Sequence, residues 1–391
     1  MLDRRRFLKG ATLAACSAAA HPLMSTVTFA QAPGENRLCV IILRGAMDGL
    51  DLCRPVGDPL LAAYRPGLTA GAPALDIGGP WALHPGLAPL MPLWAAGELG
   101  VVQAVSTPYR DKRSHFDGQD ILEAGTGGDV PAGLVREGWL NRMLQAMPGL
   151  GSETAFSVGA EGMLVLSGPA PVASWSPDTK LALSEQAQIL FDMVYHEDPL
   201  FRDAGAEAMR LAGEIGGRME PGAPGDNGAT VRLARFAAGR LAGDTRIAAF
   251  SVAGWDTHRA QAQVMTRNLA QLSQAILALR EGLGPVWSKT TVLAMTEFGR
   301  TAQENGTGGT DHGTGGAMLV AGGAVRGGRV LGRWPGLDEA ALYARRDLMP
   351  TSDVRGWAAW AMRGLYGFDR ALLERTIFPG LDMGENPGLL L

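Results

Sequence analysis

The residues with the most chemistry to offer stand in short polar clusters. Asp48 lies on a glycine-flanked turn behind Arg44, Ser114 and His115 follow Arg113, Asp256 and His258 form a second pair, Glu297 precedes Arg300, and Asp311 adjoins His312. Of the five histidines beyond the N-terminal leader, three stand beside acidic residues or a serine after predicted strands. Imidazoles mixed with carboxylates suit zinc, manganese or iron, whereas an all-oxygen shell would suit calcium or magnesium. Arg44, Arg113 and Arg300 add forked donors able to clamp a tetrahedral oxyanion. Each cluster also has a plainer reading. Asp48 before Gly49 is a favoured turn pair, Ser114 with Asp117 starts a helix in the manner of a capping box, and Asp256, His258 and Asp311 suit polar or glycine-rich turns. His84 before Pro85 reads as a satisfied structural histidine, and His196 as an exposed one.

The elements that must position these clusters are short apolar runs at Leu38–Leu43, Leu99–Val105, Ile247–Val252, Thr291–Thr296 and Ala317–Ala321. Unbroken apolarity predicts strands buried on both faces, as in a parallel sheet between helices. Helical patterns lie between them at Leu87–Leu99, Trp139–Met147, Thr230–Leu241 and Arg259–Leu283, with Val264, Leu272, Ile276 and Leu279 on one face of the last. The expected fold is α/β, a doubly wound and mainly parallel sheet with helices on both faces. Ligands of such sheets bind beyond the carboxyl ends of the strands, where every polar cluster here falls. The Pro- and Gly-interrupted stretch of about 160–244 reads as a cap-like excursion from a single domain.

The N-terminus carries Arg4, Arg5, Arg6, Phe7, Leu8 and Lys9, an apolar run from Gly10 to Ala20, and the small-residue site Thr28, Phe29, Ala30. This predicts a twin-arginine signal peptide over residues 1–30, cut after Ala30, with the translocase and signal peptidase as partners and a periplasmic or secreted product. Lipid attachment at Cys16 is the minor alternative. That export route serves proteins that fold, often around a cofactor, before crossing. Beyond the leader there are 31 basic residues against 38 acidic ones, a charge of −7, with no basic stripe, so a nucleic-acid partner is not expected. No later segment reaches the roughly 18 apolar residues of a membrane span. Cys39 and Cys53 read as buried thiols rather than as a bridge.

Several motifs in order resemble the twin-arginine-exported family called domain of unknown function 1501, itself similar to the alkaline phosphatase and sulfatase superfamily. They are Arg44–Leu50, Arg113–Phe116, Gly138–Arg142, Trp255–His258, Glu297–Thr301, Gly308–Gly313 and Arg346–Thr351. The resemblance implies an alkaline-phosphatase-like domain over residues 31–391. It implies that Asp48 is a first-strand metal ligand, that Asp256 and His258 bind one ion and Glu297 another, and that Asp311 and His312 form the late ligand region. Ser114 would be the nucleophile, with His115 and Arg300 as catalytic partners. Two departures stand out: Glu297-Phe298 replaces the superfamily's Asp-His pair, and Asp256 and His258 are more tightly spaced than usual. His115 is the candidate to replace the missing ligand.

Together these readings predict an exported metal-dependent hydrolase of a small anionic phosphate or sulfate ester. The alternative is a non-catalytic accessory or binding protein of the cell envelope that keeps the fold. No Gly-x-Ser-x-Gly elbow, His-Glu-x-x-His helix, Gly-Lys-Ser/Thr loop or dinucleotide fingerprint is present.

Overall fold

A computed structural model describes residues 27–31, 35–71, 73–147, 156–157, 163–170, 172–175 and 228–391. Among them runs a ten-stranded sheet. Its strands are β1 (Val27–Gln31), β2 (Arg37–Leu43), β3 (Leu99–Ser106), β4 (Phe156–Ser157), β5 (Ala173–Trp175), β6 (Thr245–Val252), β7 (Thr290–Met295), β8 (Gly316–Ala321), β9 (Val330–Leu331) and β10 (Ser352–Asp353). The spatial order is β9-β3-β8-β7-β2-β6-β1-β5-β4, with β10 also on β3.

All five expected strands form, each within two residues of its apolar run. Strand β2 shows why: Leu38, Val40 and Ile42 enter one apolar cluster, while Cys39, Ile41 and Leu43 enter another on the opposite face. Each such side chain is worth roughly 1.5–3 kcal/mol on burial, so both faces must be covered. Helices α2 (Trp139–Gln145) and α5 (Val354–Tyr366) cover the first face through Trp139, Met143, Trp357 and Met362. Helices α3 (Gly228–Leu241) and α4 (Gln261–Leu283) cover the second through Leu233, Leu241, Leu272 and Ile276. On α4 the buried apolar stripe begins at Met265 in place of Val264, which is half-buried. The Leu87–Leu99 pattern forms a 3-10 segment, Pro85–Leu90, and a short helix, Met91–Ala95, because Pro89 and Pro92 withhold backbone donors from a longer helix.

The sheet is mixed, which corrects the expectation of a mainly parallel one. Strands β6, β2 and β7 are parallel neighbours. Strand β8, however, runs antiparallel to both β7 and β3. An apolar strand buried on both faces reads alike in either direction, so the sequence did not show the reversal. The consequence for function is direct: the carboxyl ends of β2, β3, β6 and β7 and the amino end of β8 share one edge.

At the other side of β6, β1 pairs antiparallel with it, so the expected cut after Ala30 falls inside a strand of the full chain. Residues 1–26, including Cys16 and the arginine cluster, lie outside the described residues, as does His196. Much of the expected excursion, 176–227, lies outside them too, but Gly228–Leu241 is a core helix packed on α4. Cys39 and Cys53 are free and buried, and burial pushes the Cys53 thiol up to about 12. His84 caps Pro85–Leu90, its Nδ1 accepting from the Gly86 amide at 3.0 Å. Among the described residues no helix is long and apolar enough to cross a membrane.

Candidate metal centre

The shared edge gathers loops from five strands. After β3, Ser114 caps helix α1 (His115–Ala124), its Oγ accepting from the Asp117 amide at 3.4 Å. His115 opens that helix, and Gln119 and Glu123 follow on the same face at intervals of four. The His115 Nδ1–H donates to Glu297 Oε1 at 2.8 Å, and Gln119 Nε2 donates to the same oxygen at 3.2 Å. Arg44 ties this face to β2, pairing with Glu123 at 2.6 Å and donating to Gln119 Oε1 at 2.7 Å.

The loop between β7 and β8 folds back as an extended hairpin, bridged at Arg300 and His312. Glycines let its two sides touch: a side chain at Gly299 would collide with the Gly315 backbone. Gly45, at φ +119°, permits the other close approach, where a Cβ would sit 2.5 Å from the Asp256 amide nitrogen. Its own amide donates to Glu297 Oε1 at 2.9 Å.

The three histidines are held alike. His312 Nδ1 donates to the Arg113 carbonyl at 2.8 Å, which Arg113 presents from a left-handed conformation at φ +54°. His258 Nδ1 donates to Asp311 Oδ1 at 3.0 Å. With each Nδ1 bearing the proton, each Nε2 is a bare acceptor in the neutral ring. All three Nε2 atoms face the Asp256 carboxylate: His258 at 3.0 Å and His312 at 3.2 Å from Oδ1, and His115 at 3.5 Å from Oδ2. The Nε2 atoms of His258 and His312 are themselves 3.0 Å apart, and buried His115 Nε2 has no hydrogen-bond partner. Acceptors converging on one point repel unless a cation stands among them.

A divalent ion fits this arrangement. A tetrahedral ion with bonds of about 2.0–2.1 Å sets its donor atoms about 3.3 Å apart, close to the spacings found here. Donor atoms of His115, Asp256 and His312 all lie within 4.8 Å of one another. Each imidazole also has the outer acceptor that metal-bound histidines use to fix tautomer and orientation, namely Glu297, Asp311 or the Arg113 carbonyl. Phe298 floors the pocket, its ring stacked 5.3 Å from His115 and tilted 5.5 Å from His312.

Charge is balanced by contacts. Burial opposes ionisation of Glu297 most strongly, yet the hydrogen bonds and charge of His115, a backbone amide and Gln119 together outweigh it and hold the carboxyl below the usual range. Burial likewise works against His115 and is outweighed by Glu297, so that imidazole titrates above its ordinary value. Burial first, with the positive charge of His115 and Arg300, draws His312 below its own against the Arg113 carbonyl and Asp256. For Asp256 burial is the largest influence and works against ionisation, but the Arg300 hydrogen bond, Nη1 to Oδ1 at 2.9 Å, with the charge of Arg300 and the neighbouring imidazoles together depress the carboxyl.

Below this pocket lies a second polar layer. Asp48 caps the turn Gly49–Leu52, its Oδ1 accepting from the Leu50 and Asp51 amides at 3.0 and 3.1 Å. Arg65 Nη1 reaches both its oxygens at 3.0 and 2.8 Å, Gln261 Nε2 reaches Oδ2 at 2.7 Å, and Thr310 Oγ1 lies 3.3 Å away. Thr310 also receives Arg300 Nε at 3.3 Å, which links the layers. Arg300 is 0 % exposed at its side chain, and its Nη2 is unpartnered.

Of the residues expected at the site, His115, Asp256, His258 and His312 come together. Glu297 and Asp311, expected as ligands, stand one layer out as the acceptors for His115 and His258. Asp48, also expected as a ligand, is enclosed in the lower layer with its oxygens taken. Ser114 is the helix cap, and Arg300 grips Asp256. Arg65, Gln261 and Gln119 gave no signal in the sequence, because isolated polar residues in helical stretches look solvent-facing. Asp347 lay in a noted motif; it is fully buried and accepts from Thr314 and Arg113.

No curated protein and no solved structure matches this chain. The family model for the protein of unknown function DUF1501 matches residues 103–355, a span that carries every member of the upper pocket and stops short of Asp48. The chain belongs to the DUF1501 family.

Proposed function

We propose that this protein is an exported metal-dependent hydrolase of small anionic esters, phosphate or sulfate, working at the His115, Asp256, His258 and His312 pocket. The observation that carries the reading is the meeting of three Nε2 acceptors at a carboxylate, each imidazole oriented from behind by its own acceptor. A divalent ion, zinc first and manganese or iron next, supplies Lewis acidity and positive charge there. Arg300 holds Asp256 in place and supplies a fixed positive charge behind the pocket. The Ser114 hydroxyl is engaged as a cap, so water is the nucleophile in this reading. Export rests on the arginine cluster and small-residue site of the N-terminus, with the twin-arginine translocase and signal peptidase as partners.

A metal-stabilised binding or accessory protein is the competing reading: were His258 to join His115, Asp256 and His312, four protein donors would close a tetrahedral shell, as in structural zinc sites, whereas catalytic sites keep a position open. The exposure of His258, 41 % at its side chain against 22 % for His312, favours three ligands and an open position. The test is elemental analysis and an ester panel, with zinc or manganese added, on the protein and on an Asp256→Ala, His312→Ala variant. Near-stoichiometric metal and turnover, both lost in the variant, are expected. A protein that takes up no metal overturns the reading, and metal without turnover moves it to the structural ion.

A further inference from the structure

The lower layer holds a second cation position, already filled. Arg65, side chain 1 % exposed, sits in a cage of oxygens: Asp48 Oδ1 and Oδ2 on Nη1, the Thr301 carbonyl on Nη2 at 2.7 Å, and the Ala302 carbonyl on Nε at 2.9 Å. A carboxylate with backbone carbonyls around one buried charge is the donor chemistry that hard divalent cations take. Here the guanidinium supplies the charge. Asp48 accepts from Leu50, Asp51, Arg65, Gln261 and Thr310, so no lone pair remains for an ion.

We propose that the protein has two cation positions at this sheet edge and that only the upper one takes a metal, the lower being filled permanently by Arg65. The count of one metal per chain rests on the reading given under Proposed function; the identity of the lower cage as a cation site does not. The built-in charge has a purpose in the upper pocket. Through Thr310 it fixes Arg300, and through Arg300 it fixes Asp256, so the ligand carboxylate stays placed whether or not a second ion is at hand.

The experiment counts metal in the full-length protein and in Asp48→Asn after zinc loading, and follows melting of Arg65→Ala with calcium, magnesium or guanidinium added. One equivalent is expected in both of the first two proteins. Arg65→Ala is expected to melt on the order of 5–10 °C lower, and to recover at least half of that with one of the added cations. Two equivalents in the parent, one of them lost in Asp48→Asn, overturn the proposal, as does an Arg65→Ala melting point that no added cation moves. Should Arg65→Ala not fold, the two metal counts decide. No metal at all in the parent defeats the hydrolase reading, and the melting experiment then judges the cage alone.

Discussion

Two polar clusters lie one behind the other at the same edge of the sheet, and they differ in the state of their hydrogen bonds. Around Asp48 every carboxylate lone pair meets a donor, and Arg65 donates through all three guanidinium nitrogens. Around Asp256 three imidazole nitrogens face a carboxylate whose one strong donor is Arg300, and two of them, on His258 and His312, lie 3.0 Å apart. Buried polar groups are nearly always paired, and the buried Asp48 cluster meets that rule from within and reads as framework, whereas Asp256 and His258, 44 % and 41 % exposed at their side chains, leave the upper cluster open to a partner from outside. Composition does not tell the two apart, since both mix carboxylates with cationic or imidazole groups. What separates them is which atoms face which.

The comparison can be broken most sharply at Asp48. If the lower layer is framework, Asp48→Ala leaves Arg65 buried and uncompensated and costs about 3–5 kcal/mol of stability, read by denaturant unfolding. The same pair sets the acid response. Burial opposes ionisation of Asp48, but Arg65 outweighs it and the folded value lies below the ordinary one, so the stabilisation is complete above about pH 4 and is lost as pH falls through the depressed folded value. Asp48→Asn should flatten that acid limb; an unchanged limb would place the charge effect elsewhere.

A smaller effect is expected one layer out in the upper pocket. Glu297→Gln removes the anionic acceptor behind His115 and should weaken metal binding about 10- to 100-fold, measured by competition with a chelating dye, while far-UV circular dichroism stays the same. Unchanged affinity would mean that His115 is no ligand. The smallest effect sharpens the division of roles at the start of α1. Ser114→Ala should cost about 1 kcal/mol through the lost cap and leave turnover per bound metal near that of the parent. Turnover reduced a thousandfold or more at full metal loading would restore Ser114 as nucleophile.

Much of this was legible in the residues. The five buried strands follow from unbroken apolar runs, and the polar clusters after them follow from the rule that α/β sheets bind ligands beyond the carboxyl ends of their strands. His115, the candidate to replace a missing ligand, does lie close to Asp256 and His312. Glu297 shows where such reading stops. It precedes Phe298 at the end of β7 and has the composition of a ligand, but its carboxylate is 0 % exposed and turned to His115, Gly45 and Gln119. Asp48 shows the same limit, because Arg65, seventeen residues later, carries no local mark of a partner.

The amino-acid sequence by itself determined which segments must be buried on both faces, where the chain turns, and which side chains have the chemistry to bind a cation; these depend on neighbours along the chain. Only the tertiary structure decided that β8 runs backwards, that Asp48 belongs to Arg65, and that the Nε2 atoms of three histidines, one opening a helix and two on loops, face Asp256. Those outcomes depend on contacts between residues up to 262 positions apart, such as Thr310 with Asp48, whose pairing is set by packing and hydrogen-bond geometry rather than by local pattern.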